Sequence, residues 1–206
     1  SGHLNGAIRF WDITGEKAIE QHPIVSQPVA SPFLDLVILP GVVATRDEQN
    51  SLRLWKPTTS GLVEHPATKS FEPQGYLPMT SSHDGQLLVT IWGGPGCTIW
   101  QWNGETLTQN LSVGKAGSWS AAISSDNRRL AIGYRGTVDL WDITARPPRL
   151  EKTLKATDPN GAAYQTEFAK DDTLLIAKMG QTQTVWDLTQ DEPLPQQLFA
   201  DRNPFH

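Results

Sequence analysis

Five short stretches alternate apolar and polar residues up to a tryptophan: GAIRFWD (6–12), SLRLWKP (51–57), CTIWQWN (97–103), TVDLWDI (137–143) and QTVWDLT (183–189). Ile8/Phe10, Leu52/Leu54, Ile99/Gln101 and Val138/Leu140 mark the alternation, the period of two of a half-buried strand rather than the 3.6 of a helix. Aligned on Trp11, Trp55, Trp102, Trp141 and Trp186, the stretches are spaced by 44, 47, 39 and 45 residues. Between them lie further apolar runs joined by short polar turns. Tyr76 to Thr80 and Leu87 to Trp92 flank Ser82-His83-Asp84-Gly85; Trp119 to Ile123 and Leu130 to Tyr134 flank Ser125-Asp126-Asn127; Tyr164 to Phe168 and Leu174 to Ala177 flank Lys170-Asp171-Asp172. Turns rich in Asp, Asn and Gly between alternating runs predict β-hairpins.

A repeat of about 44 residues that holds four short strands, with a Trp-Asp ending the third, resembles the WD-repeat β-propeller family. Trp-Asp is literal at Trp11-Asp12, Trp141-Asp142 and Trp186-Asp187, and the resemblance covers essentially the whole chain. It implies an all-β fold of four-stranded antiparallel blades, here a partial ring. Residues 1–12 would end one blade, 13–57, 58–104, 105–143 and 144–189 would each form one, and 190–206 would supply the outer strand of another. The repeats are degenerate. The family's Gly-His pair is missing, with His22-Pro23 and His65-Pro66 the nearest echoes, and its Asp six residues before the Trp is replaced by Asn5, Gln49, Gly96, Arg135 and Gly180. The family's buried Asp-His-Ser-Trp network is therefore expected in no blade, and apolar packing carries the fold.

Length and charge narrow the partners. At about 44 residues each, 206 residues make about 4.7 blades, and an open arc exposes strand edges. The resemblance thus implies another chain, another copy or a further segment completing the propeller. The net charge of −5, without a run of Lys and Arg, argues against nucleic acid, whose affinity rests on neutralised phosphates. The longest apolar stretch, Leu34 to Ala44, is broken by Asp35, Pro40 and Gly41, too short to cross a membrane. A single cysteine, Cys97, can make neither an intrachain disulfide nor a thiolate zinc cluster and fits a reducing, cytoplasmic setting.

Candidate chemistry is thin. Gly93-Gly94-Pro95-Gly96 lacks the Gly-Lys-Ser/Thr of a phosphate cradle and reads as a turn. The five histidines are scattered, so no metal or other cofactor is expected. The acid pairs Asp47-Glu48 and Asp171-Asp172 fall in solvated turns, which rarely perturb a carboxylate for catalysis. No enzyme activity is expected. What remains is surface. The resemblance puts the loops between second and third strands, and between fourth and first, on one face, where Arg46, Trp92, Tyr134, Arg135, Lys178 and Met179 fall. Trp, Tyr and Arg are enriched at binding hot spots, although the aromatics can equally end strands and pack between blades. The expected function is a non-catalytic protein-binding scaffold or sensor module of a larger protein. Alternatives are an enzyme or small-molecule binder using the central channel, or a sensor for a fused effector such as an NTPase or protease.

Overall fold

A computed structural model describes residues 8–12, 19–24, 33–47, 51–58, 61–70, 78–92, 96–169 and 171–200; the side chains of 8–34, 47, 69–70, 92 and 198–200 lie outside that description. The chain forms two compact units, residues 1–76 with 103–107, and residues 77–102 with 108–206. All described elements are strands, as the alternation predicts.

In the first unit, β1 (Ile8–Asp12) pairs antiparallel with β2 (Ile19–Ile24). β2 was not predicted from the alternation. It follows β1 as a fourth strand follows a third. A second sheet contains β3 (Phe33–Leu39), β4 (Val42–Asp47), β5 (Ser51–Thr58), β6 (Gly61–Glu64) and β7 (Lys69–Ser70). Its order is β3-β4-β5-β6, with β7 also on β5. The outer strand is thus split in two: β6 pairs Trp55 to Thr58 and β7 pairs Ser51 and Leu52. Pro66, in the turn between them, has no N–H to continue a ladder. The tight turn from β3 to β4 uses Gly41 at φ +78°, a conformation that costs glycine little. Val43 and Trp55 form the core of this sheet with Leu36 and Leu62 against them.

The second unit holds three sheets, each of four antiparallel strands in chain order. The first contains β8 (Met79–Ser81), β9 (Leu87–Trp92), β10 (Gly96–Trp102) and β11 (Leu107–Val113). The next contains β12 (Ser120–Ile123), β13 (Arg129–Gly133), β14 (Thr137–Asp142) and β15 (Arg149–Lys155). The last contains β16 (Ala163–Ala169), β17 (Leu174–Met179), β18 (Thr182–Asp187) and β19 (Gln196–Ala200). The innermost strand β12 adjoins both β8 and β16, and the sheets stack face to face like successive propeller blades. Each sheet runs from a first strand through its own fourth. Gln196–Ala200 accordingly completes the β16–β18 sheet by pairing with β18. The expectation that it belongs to a following blade is corrected, since residues 188–195 loop back and bring Gln196–Ala200 alongside β18.

Alternation explains why both faces of the middle sheet are apolar. Leu130 and Ile132 pack with Val89, Ile91, Cys97 and Ile99 on one side. Ala131, Val138, Leu140 and Leu154 pack with Leu175, Ala177, Met179 and Trp186 on the other. A strand sandwiched between two layers has no polar face, and burial at these positions supplies most of the stability.

Candidate functional site

The connections of the second unit gather as the blade pattern requires. The turn after β13 is bonded to the connector before β16: Gly136 N–H donates to Gly161 O at 2.8 Å, and Ala163 N–H to Tyr134 O at 3.1 Å. Arg135 is exposed at this turn, and its Nη1 donates to Asn160 O at 3.0 Å. Tyr134 just behind it is buried, at 4% exposure. Its hydroxyl accepts the Lys115 backbone N–H at 3.1 Å, and the Lys115 ammonium sits 4.5 Å from the ring centroid, within cation–π range. The same ammonium lies 3.4 Å from Asp139 Oδ2, while Asp139 Oδ1 accepts from Thr153 Oγ1 at 2.7 Å. Burial pushes the Tyr134 hydroxyl up to about 12, so it stays protonated and anchors the β11–β12 connector.

Of the expected binding residues, Arg135 and Lys178 are exposed. Arg46, Tyr134 and Met179 are not, and for them an exposed binding role is corrected. Met179 is fully buried because β17 runs two residues past Ala177, and the parity of Leu175, Ala177 and Met179 turns all three inward. Arg46, at 1% exposure, lies within β4 between β3 and β5, opposite Asp35 and Leu52. It belongs to the first unit. Trp92 ends β9, its side chain lying outside the described part.

The tryptophans show a phase that alignment on Trp102 hides. Trp55 Nε1 donates to Thr45 Oγ1 at 2.7 Å, and Trp100 Nε1 donates to Thr90 Oγ1 at 2.8 Å. In both, the acceptor sits diagonally across the second strand, two residues beyond the one paired with the Trp, Val43 or Leu88. Trp100 is therefore the counterpart of Trp55. Trp102 instead takes the place of Ile143 and Leu188: the N–H groups of these three donate to Gln86, Arg128 and Thr173 carbonyls, each 2.8–2.9 Å away. In the next two sheets Trp141 faces Leu130 and Trp186 faces Leu175, so the diagonal positions hold Ile132 and Ala177, which lack a hydroxyl. Trp186 Nε1 turns to Lys155 O at 3.0 Å, whereas Trp141 Nε1 is buried without a partner. Trp55, Trp100 and Trp186 at the repeat position are buried, and so is Trp102 two residues further on. Trp141, expected to be largely buried between blades, is only half-buried, which corrects that expectation. The side chain of Trp11 lies outside the described part.

On the opposite side, two first-to-second turns are built alike. Ser82 Oγ donates to Asp84 Oδ1 at 2.6 Å and accepts Leu87 N–H at 2.9 Å; Ser124 Oγ donates to Asp126 Oδ1 at 2.7 Å and accepts Arg129 N–H at 2.8 Å. The Ser82 hydroxyl and the Gln86 N–H hold Asp84 below the usual carboxylate range. Burial works against Asp126, but the Ser124 hydroxyl and Arg128 N–H outweigh it and its pKa also falls. Adjacent turns are stitched together: Asn127 Nδ2 donates to Asp84 Oδ2 at 2.7 Å, and Ser125 N–H and Oγ donate to Asp172 Oδ2 at 2.7 and 2.6 Å. Asp171 and Asp172, at φ +53° and +61°, form a turn of the left-handed kind that favours Asp, Asn and Gly. Asp172 is thus a structural acceptor here.

Cys97 is 1% exposed and burial raises its thiol to about 12, which leaves almost no thiolate at neutral pH. Among the described residues, no three His, Cys, Asp or Glu side chains group at metal-binding distance. Sequence reasoning missed Lys115 and Asp139, which meet only through the fold. It also missed Thr45 and Thr90, although a Thr ten residues before each Trp was there to read. No protein-family model and no curated protein matches this chain.

Proposed function

We propose that this chain is a non-catalytic protein-interaction scaffold or sensor module, a degenerate member of the WD-repeat kind, contributing blades to a larger propeller protein. The four-stranded sheets and the Trp-Asp pairs ending β14 and β18 support the repeat assignment. In both pairs the aspartate works locally: Asp142 Oδ1 accepts from Thr144 N–H at 2.9 Å and Asp187 Oδ1 from Thr189 N–H at 3.0 Å. The observation that carries the function is the pair of exposed cations, Arg135 and Lys178, held at or beside turns whose neighbours Tyr134 and Met179 are locked in the core. Charges on a rigid frame lose little conformational freedom on binding and steer a partner to a defined register. The test is capture of cross-linked partners by the full chain and by an Arg135→Ala, Lys178→Ala double variant with an unchanged melt. Loss of at least one partner is expected, with its capture retained by the charge-preserving Arg135→Lys, Lys178→Arg variant. Identical partner sets with identical yields would overturn the reading.

A further inference from the structure

We propose that Asn160 is a site of spontaneous main-chain modification, cyclising onto Gly161 and opening to an isoaspartate whose new carboxylate is held by Arg135. This inference is independent of the reading of the chain as an interaction module. An Asn-Gly pair favours such a ring because glycine has no Cβ to obstruct the approach of the side-chain carbon to the following nitrogen. Two such pairs lie in described turns, Asn103-Gly104 and Asn160-Gly161, while Asn5-Gly6 lies outside the described residues. The fold treats the two oppositely. Asn103 Oδ1 accepts from the N–H groups of Glu105 at 3.0 Å and Thr106 at 2.7 Å, so its side chain cannot turn to the Gly104 nitrogen without breaking both bonds. Asn160 is exposed, and its side chain makes no hydrogen bond among the described residues. Gly161 is buried, yet its N–H also finds no acceptor among them, a rare state for a main-chain donor. The two groups that must react are therefore the two left uncommitted.

The dipeptide alone is generic, but here a cation is fixed on the reacting peptide group. Arg135 is bridged to Ala162, and Gly136 N–H donates to Gly161 O at 2.8 Å, which docks the two turns together. When the Gly161 nitrogen loses its proton, the charge is shared with the carbonyl of the same peptide group, Asn160 O. Arg135 Nη1 donates to that oxygen at 3.0 Å. A guanidinium there stabilises the anion more than the neutral amide, the logic of an oxyanion hole. Asp158 Oδ1 accepts Asn160 N–H at 2.9 Å, and its Oδ2 lies beside Gly161, 2.6 Å from where a Cβ would stand, placed to relay the departing proton to solvent. The nitrogen then adds to Asn160 Cγ and expels Nδ2 as ammonia, closing a cyclic imide. Water opens that ring at either carbonyl. Attack at Cγ gives aspartate. Attack at the α-carbonyl gives isoaspartate, in which the main chain runs through Cγ and the former Asn160 carbonyl becomes a free carboxylate. Arg135 polarises the α-carbonyl and so favours isoaspartate, and the product sets a full negative charge against the guanidinium where a neutral oxygen stood.

The test incubates the full chain and its Arg135→Ala and Arg135→Lys variants at mildly alkaline pH, with peptide mass spectrometry that distinguishes isoaspartate from aspartate at each time point. In the folded chain Asn160 is expected to convert about tenfold or more faster than Asn103, whose two hydrogen bonds must first break. In urea the two sites are expected to convert at similar rates, because only the shared dipeptide remains. Arg135→Ala slows Asn160 about two- to fivefold, the scale of a solvent-screened charge, and lowers its isoaspartate share. Asn103 keeps its rate in that variant, and Arg135→Lys recovers part of the loss at Asn160. Equal rates at the two sites in the folded chain, or an Asn160 still intact when the urea-treated chain has converted, would overturn the proposal. So would an Arg135→Ala variant whose rate and product ratio match the parent's. A faster Asn160 in that variant would overturn it as well, since Arg135 would then only brace the turn.

Discussion

A tryptophan that ends a blade's third strand has an indole N–H to satisfy, and the chain solves this differently from sheet to sheet. Trp55 and Trp100 use threonine hydroxyls, Trp186 a main-chain carbonyl, and Trp141 none. Replacing Trp by Phe therefore separates hydrogen bonding from packing. Trp55→Phe and Trp100→Phe leave the buried Thr45 and Thr90 hydroxyls without that donor, at about 1–3 kcal/mol beyond the lost ring area. Trp141→Phe removes an orphaned donor and costs only the area. Urea denaturation of the three variants is expected to rank Trp141→Phe mildest. Equal losses would show that the indole bonds add nothing.

Among the elements, the hairpin turns carry the charge chemistry. Asp84 and Asp126 hold depressed pKa values through Ser82, Ser124 and nearby N–H groups. A carboxyl whose folded pKa lies below its unfolded value of about 3.9 contributes stability that is present above that value and is lost as pH falls through the folded pKa. The midpoint of thermal unfolding is thus expected to be insensitive to these groups near neutrality and to fall below about pH 4. Asp84→Asn with Asp126→Asn should flatten that acid limb while lowering the neutral-pH melt. An acid limb of unchanged steepness in the double variant would show that other groups drive it. These turns were legible in sequence because Ser, Asp and Gly cluster between apolar runs. Their stitching through Asn127 and Ser125 was not, because those partners lie 43 and 47 residues away.

In the second unit as a whole, stability depends on how closely successive inner strands approach. Gly133 lies where β12, β13 and β16 converge; a Cβ there would fall 2.5 Å from Ser120 Oγ and 2.6 Å from Ala163 Cβ. The Ser120 hydroxyl donates to Ala163 O at 2.6 Å across this junction, so moving it aside breaks that bond. Gly133→Ala is expected to cost about 1–3 kcal/mol by overpacking, and Ser120→Ala added to it should recover part of that by removing the clashing oxygen. Guanidinium denaturation of both variants checks the coupling; strict additivity would place the strain elsewhere.

Strand identity, the repeat and the four-stranded sheets were determined by local pattern alone, because alternation, tryptophan spacing and turn composition act within a few residues of one another. The fourth strands were harder. The Ile19–Ile24 strand carries Gln, His and Pro among its apolar residues, and Gln196–Ala200 was read as a strand but joined to the wrong sheet. Which tryptophan of the Trp100/Trp102 pair occupies the repeat position was decided by strand register, since both share one face and differ only in the residue each one opposes. The burial of Arg46, Tyr134 and Met179, and the meeting of Lys115 with Asp139, were decided only by tertiary structure. Parity along a strand says which residues share a face, but the packing of the neighbouring sheet decides whether that face is core or solvent.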